Sequence, residues 1–145
     1  MDEKRKILII TDNTASMLNL AIKITSCLKK PPFEDYSVST LEAANFSAVD
    51  IFSARAFFLG CDNPKSFSFL YIEDLFAHIN LAGRFCGIFS SNSIAIRYLS
   101  NLVRPCEAAV GRPFIVKDDT VDGSILKEWI MDIVNQGSTD GQIQP

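Results

Sequence analysis

Ala56-Phe57-Phe58-Leu59-Gly60-Cys61-Asp62-Asn63-Pro64 decides the fold. An apolar run ends in a glycine and opens into a polar turn, which is how a buried strand reaches its tip. The pattern recurs on either side. Ile7-Leu8-Ile9-Ile10 ends in Thr11-Asp12-Asn13-Thr14, and Phe85-Cys86-Gly87-Ile88-Phe89 ends in Ser90-Ser91-Asn92. Short strands without a polar face are buried on both sides, as in parallel sheets covered by helices. Laid side by side, the three polar tips form one rim, and open α/β sheets bind ligands at that carboxyl rim.

The segments between these strands carry helical spacing. Met17, Leu18, Ala21, Ile22, Thr25 and Leu28 form a stripe, with Thr14 as N-cap and Pro31-Pro32 as the stop. Tyr36 to Leu41 alternates like an edge strand, and Glu42 to Ile51 holds one or two helical turns. Phe67, Leu70, Tyr71, Asp74, Leu75 and His78 mark a helix after the Ala54–Gly60 strand. Ser93 to Val103 is helical, with Ile94, Ile96, Leu99 and Leu102 apolar. Gly111-Arg112-Pro113 turns into a fifth strand, Phe114-Ile115-Val116-Lys117. The last helix spans about Val121 to Asn135, with Ile125, Leu126, Trp129, Ile130 and Ile133 as its apolar face. Strands alternating with helices predict a three-layer α/β sandwich. Its five-stranded parallel sheet takes the order 2-1-3-4-5. Residues 1–136 form one domain and 137–145 a flexible tail.

Composition bounds the function. With 145 residues, the chain buries a core without staples. A net charge of −3 and the lack of a basic stripe argue against nucleic acid. No apolar run approaches the roughly 20 residues that span a bilayer, and the amino end lacks a secretory h-region, so a cytoplasmic protein without membrane contact is expected. Four cysteines (Cys27, Cys61, Cys86, Cys106) show no metal spacing and are expected as thiols. Cys61, at a strand tip near a helix start, is either a reactive thiol or a small apolar filler. His78, the single histidine, has no nucleophile and acid to work with, which argues against hydrolase chemistry.

Three stretches resemble the flavodoxin family: Val38 to Ala44 running through Val49-Asp50 to Phe58-Leu59-Gly60-Cys61; Leu81-Ala82-Gly83-Arg84 feeding Phe85 to Phe89; and Gly111 to Val116 with Trp129. The resemblance covers about Lys6 to Val134 and implies a flavodoxin-like fold. It also implies FMN, single-electron transfer and a redox partner protein. The phosphate would rest on Thr11, Asp12, Asn13, Thr14, Ala15 and Ser16, chiefly through backbone N–H groups at a helix start. The ring would lie between the loop Cys61-Asp62-Asn63 to Ser66 and the loop Ser90-Ser91-Asn92 to Ser93.

The chain departs from the family's Thr/Ser-x-Thr-Gly-x-Thr phosphate loop. One register sets Thr11, Asn13 and Ser16 at the hydroxyl positions and Thr14 in place of glycine. The other aligns Thr11 to Thr14 and sets Asp12 in place of glycine, a carboxylate beside the phosphate. Neither ring loop contains Trp or Tyr; Phe67 and Tyr98 are the nearest aromatics. The leading expectation is an FMN-binding single-electron carrier with an eroded cofactor site, an electron-transfer protein rather than a stand-alone enzyme. Its rival is a cofactor-free interaction or regulatory module on the same scaffold. A minor alternative is a degenerate receiver-type domain, which would use Asp12, Ser90 or Ser91, and Lys117, with Gly60 or Asp62 near its phospho-acceptor position.

Overall fold

A computed structural model of the chain describes residues 5–117 and 121–134. The elements follow in the order β1 (Arg5–Thr11), α1 (Ala15–Leu28), β2 (Tyr36–Glu42), α2 (Ala48–Phe52), β3 (Ala54–Gly60), α3 (Leu70–Phe76), β4 (Phe85–Ser90), α4 (Ser93–Val103), β5 (Ala109–Val110), β6 (Phe114–Ile115) and α5 (Gly123–Val134). The sheet is parallel throughout, in the order β2-β1-β3-β4, with β5 and β6 sharing the far side of β4.

The fifth position corrects the sequence reading. It is two short pieces, not one strand starting at Phe114. β5 pairs with Phe85 and Cys86, β6 with Phe89 and Ser90. From Cys86 to Phe89 the neighbour strand advances three residues while this one advances four, from Val110 to Phe114. The extra residue is a bulge, and Pro113, lacking an N–H, sits within it. Gly111 N still donates to Cys86 O at 3.1 Å and Val116 N to Ser90 O at 2.9 Å, so the strand resumes in line.

Alternation along the strands divides the core into two. Leu8, Ile10, Phe57, Leu59, Cys86 and Ile88 face α2, α3 and α4. Ile7, Ile9, Ala56, Phe58 and Phe89 face α1 and α5. On this second face Phe58 and Phe89 lie across the strand gap from Gly87 and Gly60. A Cβ on Gly60 would stand 2.1 Å from the Phe89 ring, and one on Gly87 2.7 Å from Phe58. These glycines make room for rings, and Trp129 of α5 seals the layer, with ring centres 5.3 Å from Phe58 and 5.1 Å from Phe114. Its Nε1 donates to Arg112 O, which ties α5 to the bulge.

Several helical stripes are rotated from their predicted faces. α1 buries Met17, Leu20, Ala21, Ile24 and Leu28, and Ile22 is exposed. Leu18 and Ile22 extend an already apolar helix sideways, so the sequence offers two overlapping stripes. In α3 the buried residues are Ile72 and Phe76, with Phe69 just before them; Phe67, Leu70 and Tyr71 face solvent. Phe67 is left-handed (φ 66°), which delays the helix to Leu70 and shifts its phase. Ile94 and Ile125 are also exposed, each at a helix start where Ala95 and Leu126 turn inward instead. Helix α5 begins at Gly123, capped by Asp122 Oδ1, which accepts from Ser124 N at 2.9 Å. The predicted tail and Asn135 lie outside the described residues.

Candidate functional site at the carboxyl rim

The three polar tips converge, joined by two aspartates. Thr11 ends β1 fully buried, and its hydroxyl has no partner among the described residues. Asp12 then leaves the sheet with its N–H on Gly60 O at 3.0 Å. Its carboxylate is 1% exposed. Oδ1 accepts from Thr14 N at 3.3 Å and Thr14 Oγ1 at 2.7 Å. Oδ2 accepts from Asp62 N at 2.8 Å and Asn63 N at 2.9 Å. Thr14 stands at the N-cap of α1 as expected, but its hydroxyl serves Asp12 instead of the helix.

The second aspartate extends the relay. Asp62 Oδ1 accepts from Ser90 Oγ at 2.9 Å and Ser91 N at 2.8 Å. Asn92 Nδ2 donates to Asp62 O at 3.1 Å, while Asn92 Oδ1 caps α4 through Ala95 N at 2.8 Å. Asn63 Oδ1 takes Lys65 N at 3.2 Å, closing its own turn. Thus Asp12, Thr14, Asp62, Asn63, Ser90, Ser91 and Asn92 form one network. Asn13 and Ala15 are exposed on the same loop, and Ser16 is half-buried in the first turn of α1.

Cys61 lies beneath this network at 1% exposure, its N–H on Phe89 O at 3.3 Å. Burial, and next the charge of Asp12, push its thiol well above the ordinary range. The reactive reading of Cys61 is therefore corrected: a thiol that resists ionisation is a poor nucleophile.

No family model and no curated protein matches the sequence. Solved structures do match. A short-chain flavodoxin associated with a non-canonical PDU bacterial microcompartment superposes with a TM-score of 0.75 at 12% identity, covering 92% of this chain and 99% of that one. A flavodoxin from Streptococcus pneumoniae TIGR4 gives 0.70 at 13%, covering 93% and 98%. A flavodoxin from the domain Archaea gives 0.68 at 16%, covering 92% and 99%. The fold is flavodoxin-like.

A flavodoxin-like rim that takes a phosphate needs N–H donors turned to the ligand and no carboxylate among them. Here Thr14 N of the loop assigned to the phosphate is held by Asp12, as are Asp62 N and Asn63 N of the loop assigned to the ring. A phosphate near this loop would also face Asp12 itself. Two like unit charges about 4 Å apart near a protein surface repel by about 4 kcal/mol. Asp12, which one of the two registers sets in place of glycine, turns its carboxylate back onto Thr14. Nor do the loops supply an aromatic wall. Phe67 is 71% exposed beyond the turn, and Tyr98 is bound to Glu73 Oε2 at 2.8 Å and set edge-on to Phe69. A bound FMN would thus meet the Asp12 carboxylate in the loop assigned to its phosphate and no Trp or Tyr in either ring loop.

The oxygens of Asp12 face N–H and O–H donors, and among the described residues no group of three or more His, Cys, Asp and Glu is placed to hold a metal ion. Lys117 lines a different cavity, with Arg112 and Trp129. Among the described residues no helix is long and apolar enough to cross a membrane. The sequence does carry one signal for the relay that was missed: an aspartate one or two residues beyond each of two adjacent buried strands.

Proposed function

We propose that this flavodoxin-like domain works as a cofactor-free module that engages another protein. The observation that carries the reading is the Asp12 carboxylate, which accepts from two donors on its own loop and two on the next. The rim is thereby an internal seal. On the segments that follow the two sealed loops Phe67, Leu70 and Ile94 stand exposed. Phe67 holds a left-handed backbone, costly for a bulky residue by about 1–2 kcal/mol. Such strain, kept at an exposed aromatic, fits a residue retained for contact rather than for folding.

Convergence of the loops favours a second reading, an eroded FMN single-electron carrier with a redox partner protein, in which Asp12 would have to leave its four donors. Titrating FMN with the purified protein separates the two. No quenching of flavin fluorescence at micromolar protein is expected. A yellow protein, or saturable quenching, would overturn the cofactor-free reading.

A further inference from the structure

The amino ends of the strands carry a second cluster, on the opposite side of the sheet's length from the sealed rim. Arg5 and Lys6 open β1, Arg55 is the second residue of β3, and Arg84 immediately precedes β4. All four line one open cavity of about 440 Å³, together with Ser53 and Gly83. Among the described residues no carboxylate lines it, although acids outnumber bases in the chain by 17 to 14. Among the described residues the acids nearest in register are Glu34 and Asp35, just before the Tyr36 that pairs with Arg5. They do not reach the cavity wall.

Backbone geometry singles out Arg55. Lys6 pairs with Ala54, and Ile7 pairs with Ala56, so Arg55 is the extra residue of a β-bulge. Bulges re-aim a side chain at the expense of regular pairing. Arg55 Nε is also shut from solvent and has no acceptor among the described residues. A buried donor left unpaired is costly, and an incoming acceptor would relieve it. Arg84 is the contrast: its Nε donates to Ala54 O at 3.1 Å and its Nη2 to Phe52 O at 2.8 Å. It frames the cavity. Among the described residues none of the four cations is paired with a carboxylate.

We propose that this cavity is a binding site for an oligophosphate anion. Adjacent strands lie about 4.8 Å apart, so cations at the starts of β1, β3 and β4 are spread over roughly 10 Å. One carboxylate or one phosphate engages part of that span; linked phosphoryl groups engage all of it. Guanidinium groups add the planar fork that pairs with phosphoryl oxygens. The site needs nothing from the sealed rim and stands whether or not the reading of that rim holds.

The test titrates the full chain with inorganic triphosphate by calorimetry, alongside amide shift mapping. Expected are saturable binding that weakens as salt rises, and shifts centred on residues 53–55 and 82–84. Arg55→Gln should weaken binding at least tenfold. Arg5→Gln, at an exposed strand start, should weaken it several-fold with the fold intact, whereas Asp74→Asn on α3 should change it less than twofold. ATP should bind within a few-fold of triphosphate and shift the same amides, which identifies the phosphoryl chain as the recognised group. Absent saturation at millimolar triphosphate, unchanged binding in Arg5→Gln, or shifts centred on the start of α1 would each overturn the proposal.

Discussion

Asp12 is the residue on which the rim depends. Its carboxylate is the acceptor for three backbone N–H groups and one hydroxyl, drawn from two loops about fifty positions apart in the chain. Removing it strands those donors in a part-buried place, where each hydrogen bond to a charged group is worth about 1.5–3 kcal/mol and the losses overlap. Asp12→Ala should therefore cost about 3 kcal/mol, read as a lower urea midpoint at an unchanged slope. Asn92→Ala, which removes the cap of α4 and one link to Asp62, should cost about 1 kcal/mol. A loss below 1 kcal/mol for Asp12→Ala would mean that the loops hold themselves. The sequence placed these residues on one rim because a polar turn after a buried strand has few other interpretations. It left open what Asp12 does there. An aspartate can face a ligand, a metal or a neighbouring turn, and only the approach of Asp62 N and Asn63 N to 2.9 Å or less decides among them.

At the level of elements, strands were more legible than helices. Ala54–Gly60 lies where the apolar run predicts it, because a strand buried on both faces has no phase to misjudge. Helices have a phase, and α1 and α3 each offer more apolar residues than one face can bury. What turns α3 is the left-handed Phe67, a backbone state that nothing in an aromatic residue's identity announces. The split of the fifth strand was half-announced by Gly111 and Pro113. Packing of α5 onto the sheet is where these elements are most tightly matched. A methyl added at Gly87 would meet Phe58 at 2.7 Å and Trp129 at 3.1 Å. Gly87→Ala should thus cost about 1–3 kcal/mol through overpacking and alter the near-ultraviolet dichroism of Trp129. Gly123→Ala, with nothing within 4 Å, should be neutral or slightly stabilising. Equal effects of the two would show that α5 does not sit against Gly87.

Over the whole molecule, burial of ionisable groups ties stability to alkaline pH. Desolvation raises the thiols of Cys27, Cys61, Cys86 and Cys106, and the hydroxyl of Tyr98 follows the same cause, reinforced by its bond to Glu73. In the unfolded chain these groups ionise near their ordinary values, about 8.5 for Cys and about 10 for Tyr. Above about pH 8.5 the folded state therefore holds protons that the unfolded state has released. Stability then falls as pH rises, by up to about 1.4 kcal/mol per pH unit for each fully buried group. Below that pH both states are protonated, and these groups impose no pH dependence. Cys86 is the sharpest probe, because it is fully buried as the second residue of β4, with the charge-bearing form further disfavoured by Cys106. Replacing it with Ala should lower stability at pH 7 by leaving a small cavity. The same replacement should flatten the alkaline decline by about one proton's worth of slope. The comparison uses slopes rather than levels, so the cavity does not confound it. Urea melts of both proteins at several pH values from 8 to 10.5 measure this directly. Parallel declines in wild type and Cys86→Ala would show that the alkaline loss arises elsewhere, and that this thiol ionises without opening the core.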